Sequence, residues 1–215
     1  MKTIFWNVDT QYDFMRNDES YKGKLSIPDA RNIERNLERL TQLAKVKNLQ
    51  VVNTADWHNK NSEEIAEKPD FLTTFPEHCM QHTEGAAFVP ATNPENPYVI
   101  DWQNYAFDEE SEHYVQKFNN IVLYKDKFDI FAGNRHANEV LKAINPENAV
   151  VYGVATNVCV DYAVMGLLER DVKVYAVIDA MKELPGLQLP YEKWEAKGAV
   201  LVKTKDIAEI IGRME

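Results

Sequence analysis

The feature that most constrains this chain is an alternation. Short apolar runs, TIFWNV at 3–8, QVVNT at 50–54, NIVLY at 120–124, AVVYGV at 149–154, KVYAVI at 173–178 and GAVLV at 198–202, alternate with longer stretches of helical periodicity. The runs are apolar almost throughout, which describes strands buried on both faces. Strands separated by helices make a parallel sheet, since each parallel pair needs a long crossover. Helices are predicted over 28–47, 134–144, 158–170, 191–196 and 206–214. In the first, Ile33, Leu37, Leu40, Leu43 and Ala44 share one face, and Pro28 stands at its start. The expected fold class is α/β, a mostly parallel central sheet covered by helices on both sides.

A chain of 215 residues with 45% apolar content suits a single domain, 1–215, with a substantial core. Segments 10–27 and 55–118 break the rhythm. The second is rich in Pro, Asn, Glu and aromatics, and a loop that long in a compact domain is usually functional or disordered. Acidic residues outnumber basic ones, 34 to 24, for a formal net charge of -10. That balance argues against a nucleic-acid or anionic-membrane partner, both of which want a basic face. Two cysteines, Cys79 and Cys159, do not make a secreted disulfide framework. MKTIFWNVDT lacks the pattern of a signal peptide, and no apolar stretch is long enough to span a bilayer. A cytoplasmic location is the expectation.

In open α/β sheets ligands bind beyond the carboxyl ends of the strands. The polar residues at those ends are Asp9, Asp56, His58, Lys125, Asn157 and Cys159. A cysteine in an apolar run is most often a small buried hydrophobe. Here Thr156 or Asn157 can cap the next helix, placing Cys159 in its first turn, where the helix dipole and the Lys125 ammonium favour a thiolate. Asp9 can then take the thiol proton. Singly, the three read as packing, a strand end and a turn; together they put a nucleophile, a cation and a base on one rim.

In extended backbone, Asp56 and His58 point to the same side. With distant His78 they form a mixed oxygen and nitrogen donor set for a divalent metal, Zn2+ first, with Fe2+ or Mn2+ as alternatives. Glu63 or Glu64 can add a fourth contact, Glu64 being favoured, and His82 competes as a ligand. His113 and His136 read as surface residues. No G-x-G-x-x-G follows a strand and no Walker A loop or G-x-S-x-G elbow is present, so nucleotide sites and α/β-type serine hydrolases are unsupported.

These motifs resemble those of the isochorismatase-like cysteine hydrolases, and among them the nicotinamidases. NVDTQYDF (7–14) is similar to the first-strand motif, LSIPDA (25–30) to the approach to the first helix, and DWH (56–58) with FPEHCMQHTEGAAFVP (75–90) to the metal motifs. VLYKDKFDIF (122–131) carries the lysine and GVATNVCV (153–160) the cysteine. The resemblance implies a Rossmann-like three-layer α/β/α sandwich and an Asp9–Lys125–Cys159 triad that hydrolyses a small amide through a thioester. It also implies a cis peptide between Val154 and Ala155, which aims the Ala155 and Cys159 N–H groups as an oxyanion hole. Asp56, His58 and His78 would hold a metal that binds the pyridine nitrogen, and Phe14 and Phe75 would pack the substrate ring. The expected partners are a small-molecule amide and further copies of the chain in a homo-oligomer. Other small amides or ureides remain alternative substrates, and a catalytically silent binding protein is the reading from a different class. His82 stands where the family pattern has glycine, and Asp126 follows the lysine where glycine is common.

Overall fold

In the computed structural model, which describes residues 2–103 and 106–214, seven strands form one sheet in the order β3-β4-β2-β1-β5-β6-β7. The strands are β1 (Thr3–Val8), β2 (Val51–Asp56), β3 (Tyr98–Ile100), β4 (Asn120–Lys125), β5 (Asn148–Val154), β6 (Lys173–Lys182) and β7 (Val200–Val202). Every pairing is parallel. The helices are α1 (Tyr12–Met15), α2 (Glu34–Val46), α3 (Glu109–Lys117), α4 (Ile130–Gly133), α5 (Ala137–Ile144), α6 (Cys159–Leu168), α7 (Tyr191–Ala196) and α8 (Ile207–Gly212).

The sheet has a core on each face, and the two-residue period of a strand sorts side chains between them. Ile4, Trp6 and Val8 join residues of α3, α5, α6 and α7 on one face. Phe5 of the same strand joins α1, α2 and α8 on the other. Val174 and Ala176 of β6 go one way, Tyr175 and Val177 the other. This is the three-layer α/β/α sandwich, and it explains why the strands lack a polar face.

Of the strands and α-helices missed in the sequence, β3 and α3 lie in 55–118, and the one-turn helices α1 and α4 lie outside it. Strand β3 is only three residues long, too short to show a period. Helix α3 is acidic at its start, where Asp108 caps it by accepting from Ser111 N at 2.9 Å. The helix predicted from Pro28 instead starts as a 3-10 turn at Ala30, because Asp29 takes a left-handed φ of 60°, and becomes α-helical only at Glu34. The helix expected from Asn134 starts at Ala137. Asn134 turns its amide to the carbonyls of Ile100 and Tyr124 instead, at 3.1 and 2.8 Å. His136, expected at the surface, is buried against Phe107.

Register is what brings distant residues together. Asp56 ends β2 as the Cα partner of Lys125 at the end of β4. Val8 pairs with Thr54 on one side and Gly153 on the other, so Asp9 emerges between the ends of β2 and β5. Gly153 has φ +122°, and a Cβ there would lie 2.1 Å from the Val8 carbonyl oxygen. Only a residue without a Cβ lets β5 pass this close to β1. We expect Gly153→Ala to cost about 3 kcal/mol or more, which differential scanning calorimetry would read as a Tm drop of roughly 6–12 °C. An unchanged Tm would mean that β1 can move aside.

Candidate active site

Lys125 is 1% exposed, yet it carries an ammonium at the centre of the rim. Its Nζ contacts Asp56 Oδ1, lies 2.9 Å from Asp9 Oδ2 and donates to Cys159 Sγ at 3.7 Å. Asp9 is placed by a left-handed turn, φ 49°, just after β1. Its Oδ1 accepts from Thr54 Oγ1 at 2.6 Å, and its Oδ2 pairs with the Lys125 ammonium. Oxygens of Asp9 and Asp56 and the Cys159 sulfur all lie within 4.8 Å of one another. With the ammonium among them, they form a charge cluster rather than a second metal site.

Burial and charge set the protonation states. Burial raises the Asp9 carboxyl, and the repulsion of Asp56 adds to this against the pull of Lys125. Burial also works against ionisation of Asp56, but Lys125 and the two imidazoles outweigh it and hold Asp56 well below the usual carboxylate range. For Lys125 the loss of water is overcome by the two carboxylates, which raise its pKa well above the ordinary value. Burial pushes the Cys159 thiol up, with Lys125 opposing and the nearby acids reinforcing. The expected stabilisation of a thiolate is therefore overridden in the resting site. The proton stays on sulfur, beside an acid whose own pKa is raised.

Cys159 opens α6, as expected, but neither Thr156 nor Asn157 caps that helix. The N-cap is Val158, at φ -133° and ψ -103°, without a side-chain cap bond. The Val154–Ala155 peptide is cis. The N–H groups of Ala155 and Cys159 have no acceptor among the described residues, so both are available to an oxyanion.

Asp56 Oδ2 faces His58 Nε2 at 3.7 Å and His78 Nε2 at 3.8 Å, too far for hydrogen bonds. Both ring nitrogens of His58 are buried without a hydrogen-bond partner. His78 Nδ1 lies 2.8 Å from the Pro76 carbonyl, which as an acceptor fixes the proton there and leaves Nε2 as a lone pair. Three ligand atoms converging within 4.8 Å, with orphaned donors among them, fit a divalent cation. Glu64 lies outside that converging group. Its Oε1 accepts from Phe128 N at 2.8 Å, and its Oε2 is buried without a partner. Glu63 is exposed and pairs with Lys127, and His82 is exposed with its ring against Trp57. His82 takes φ 64°, which is the reason glycine suits that position.

Sequence reasoning passed over two bracing residues. Gln11 bonds both backbone groups of Asp56, accepting from N at 2.8 Å and donating to O at 2.7 Å. Buried Asp13 accepts from Cys79 N, Lys24 N and the Tyr21 hydroxyl, which fixes the loop carrying His78. A Cβ on Gly85 would meet Asp13 Oδ2 at 2.1 Å. Both were visible only as polar letters in NVDTQYDF.

The cluster opens into an apolar cavity lined by Phe14, Phe75, Leu25, Ile27, Phe128, Val154, Val158 and Leu184, with Asp56, His78, Ala155 and Cys159 on its wall. Phe14 and Phe75 flank His78 at ring separations of 5.4 and 6.2 Å. A larger polar groove at the amino end of the sheet, lined by Lys45, Asn48, Glu95, Lys117 and Asn119, holds none of these groups. Among the described residues no helix is long and apolar enough to cross a membrane.

The seven-stranded parallel sheet with helices on both faces is a fold shared with isochorismatase-like structures, and residues 106–205 match the Isochorismatase domain family. The nicotinamidase of Escherichia coli (strain K12) is 24% identical over 197 residues, covering 81% of this chain and 80% of that one. The pyrazinamidase of Pyrococcus horikoshii, solved in complex with zinc, superposes with a TM-score of 0.71 at 23% identity, over 94% of this chain and 99% of that one. The N-carbamoylsarcosine amidase of Thermoplasma acidophilum gives 0.70 at 18% identity, over 95% and 97%.

Burial, followed by repulsion from Asp56, pushes the Glu64 carboxyl up to about 8 from an ordinary 4.5. A raised acid pKa means the folded state holds the proton more tightly, so this contribution to stability is full below pH 4.5 and lost as pH rises toward 8. Glu64→Gln keeps the acceptor for Phe128 N without the charge. In chelator-treated protein, the Tm of this variant should gain on wild type between pH 5 and about 8. A Tm difference independent of pH would contradict the assignment.

Proposed function

We propose that the protein is a metal-containing cysteine amidohydrolase that converts nicotinamide and water to nicotinate and ammonia. The observation that carries this reading is the buried Lys125 ammonium joining Asp9 to Cys159, and Cys159 in turn lines an apolar cavity. A charge so costly to bury serves little purpose in a passive binding pocket. The small aromatic-lined cavity suits a planar ring, and the likeness to a nicotinamidase supports the choice of amide.

Asp9 takes the proton from the Cys159 thiol, and the thiolate attacks the amide carbonyl. Charge on the carbonyl oxygen is met by the Ala155 and Cys159 N–H groups. Asp9 returns the proton to the leaving nitrogen, the C–N bond breaks and ammonia departs. Water, deprotonated by Asp9, then cleaves the thioester, and the proton returns to sulfur. Lys125 keeps the acid and the sulfur in place and offsets the negative charge gathered there. Asp56, His58 and His78 would hold the divalent cation, whose contribution when bound is a Lewis-acid contact for the pyridine nitrogen. Phe14, Phe75 and Phe128 hold the ring and keep bulk water from the sulfur. Zinc is the metal of choice for this donor set, with Fe2+ and Mn2+ as the alternatives, and Glu64 Oε2 is the oxygen available as a further contact.

Ammonia release from nicotinamide by wild-type protein should fall at least about 10³-fold in Cys159→Ala. Absence of release from metal-replete wild type would overturn the nicotinamide assignment and direct the search to other small amides and ureides. The metal assignment has its own test, elemental analysis of purified protein. One divalent ion per chain is expected in wild type and none in Asp56→Ala or His58→Ala; equal content in all three would remove these side chains from the metal site.

A further inference from the structure

The loop after β6, residues 183–189, reads LPGLQL after Glu183, and residues 185–189 of it are exposed. It nevertheless supplies a wall of the active-site cavity, Leu184, which faces the cavity together with Val158 and Cys159. Among the described residues, every hydrogen bond that joins this loop to a distant part of the chain involves one side chain, Asn157. Its Oδ1 accepts from Leu184 N at 2.9 Å. Its Nδ2 donates to the carbonyls of Leu184 at 2.9 Å and Leu187 at 3.3 Å. The amide thus accepts once and donates twice, a pattern that no carboxylate, hydroxyl or hydrocarbon side chain reproduces.

We propose that Asn157 is a positioning residue that sets substrate size, by pinning Leu184 as the wall of the cavity from the nucleophile's own segment. Asn157 stands two residues before Cys159, so the wall is referenced to the sulfur rather than to the rest of the loop. Pro185 and Gly186, the latter at φ +83° with open space around it, allow the chain to turn there but supply no contact that would hold Leu184 in place. With the clamp released, Leu184 has only its cavity-side packing, and the opening widens toward solvent. The chemistry at Cys159 does not pass through Asn157. Its loss therefore acts on how tightly and how selectively a ring is held.

The inference rests on the amidase reading for its kinetic consequence, but not for its structural one. Two measurements on Asn157→Ala and Asn157→Asp therefore separate the two. Hydrogen exchange followed by mass spectrometry needs no substrate. Segment 183–189 should be protected at Leu184 in wild type and exchange at least about tenfold faster in Asn157→Ala. Asn157→Asp, which keeps the acceptor but loses both donors, should fall between. Equal exchange in wild type and Asn157→Ala would overturn the clamp whatever the enzyme does. The second measurement compares nicotinamide with quinoline-3-carboxamide, which carries a fused second ring. In Asn157→Ala, KM for nicotinamide should rise about tenfold with kcat changed less than about threefold, and the preference for the smaller amide should shrink. A collapse of kcat at unchanged KM would instead place Asn157 in the nucleophile's own support and overturn the size-setting role.

Leu184→Ala provides the check should Asn157→Ala fold poorly. It leaves the clamp's backbone bonds intact but removes the wall, and should reproduce the lost size preference without faster exchange at 183–189. If it discriminates as wild type does, Leu184 is not the wall and the proposal fails. If wild type releases ammonia from neither amide, the nicotinamide assignment fails, and the exchange comparison alone judges the clamp.

Discussion

The buried Lys125 ammonium is the constraint on which the rest of the structure depends. An isolated cation in that position would lose its hydration with nothing in return. It is tolerable because Asp56 meets it from the neighbouring strand at the same register and Asp9 meets it from the other side. Removing either acid would leave a charge uncompensated in a dry site, which is why such pairs are costly to break even where they add little net stability. Asp56 has a second duty, since its other oxygen faces two histidines. One carboxylate thus ties the charge cluster to the metal-type donor set, and perturbing one disturbs the other.

The fold meets this constraint by stopping its central strands at the same level. β2 and β4 end with Asp56 and Lys125 side by side, and β1 ends opposite Thr54, two residues short of Asp56, where Asp9 takes a left-handed turn. Loop segments then need their own bracing, because few ladder bonds reach them. Gln11 and Asp13, from the segment after β1, provide it: one grips the backbone of Asp56, the other the backbone of the loop that carries His78. Gly85 lies where any side chain would displace Asp13. Polar residues buried in this way are hydrogen-bonded nearly to capacity, and they fix geometry more than they add stability.

The parts of the site legible in the sequence were those that lie at strand ends. Asp9, Asp56, Lys125 and Cys159 could be brought to one rim by locating strands alone, because parallel strands deliver their carboxyl ends together. The motif resemblance supplied the roles proposed for them and the position of the cis peptide. The 55–118 segment was far less readable. Its three-residue strand shows no period, its helix is acidic and half exposed, and its loop is held by contacts to residues far away in sequence, such as the bridge from His58 to Met80. The sense of the thiol's pKa was also misjudged. A helix start and a nearby lysine are visible in the sequence, but the burial that overrides them is a property of the packed site.

Asn157 shows the division most clearly. Beside the start of a helix, asparagine is a good N-cap by local rules, and the local rule gave that reading. The structure uses the same amide across a gap of twenty-seven residues to hold Leu184, since a partner presenting one N–H and two carbonyls satisfies it more fully than a helix end. The sequence by itself determined the layered parallel sheet and the kinds of group on its rim, because hydrophobic period and strand-end position are local properties. Only the tertiary structure decided which of those groups touch, which carry a proton, and which loops close the cavity. Distance, dielectric and hydrogen-bond competition are set once the layers have packed.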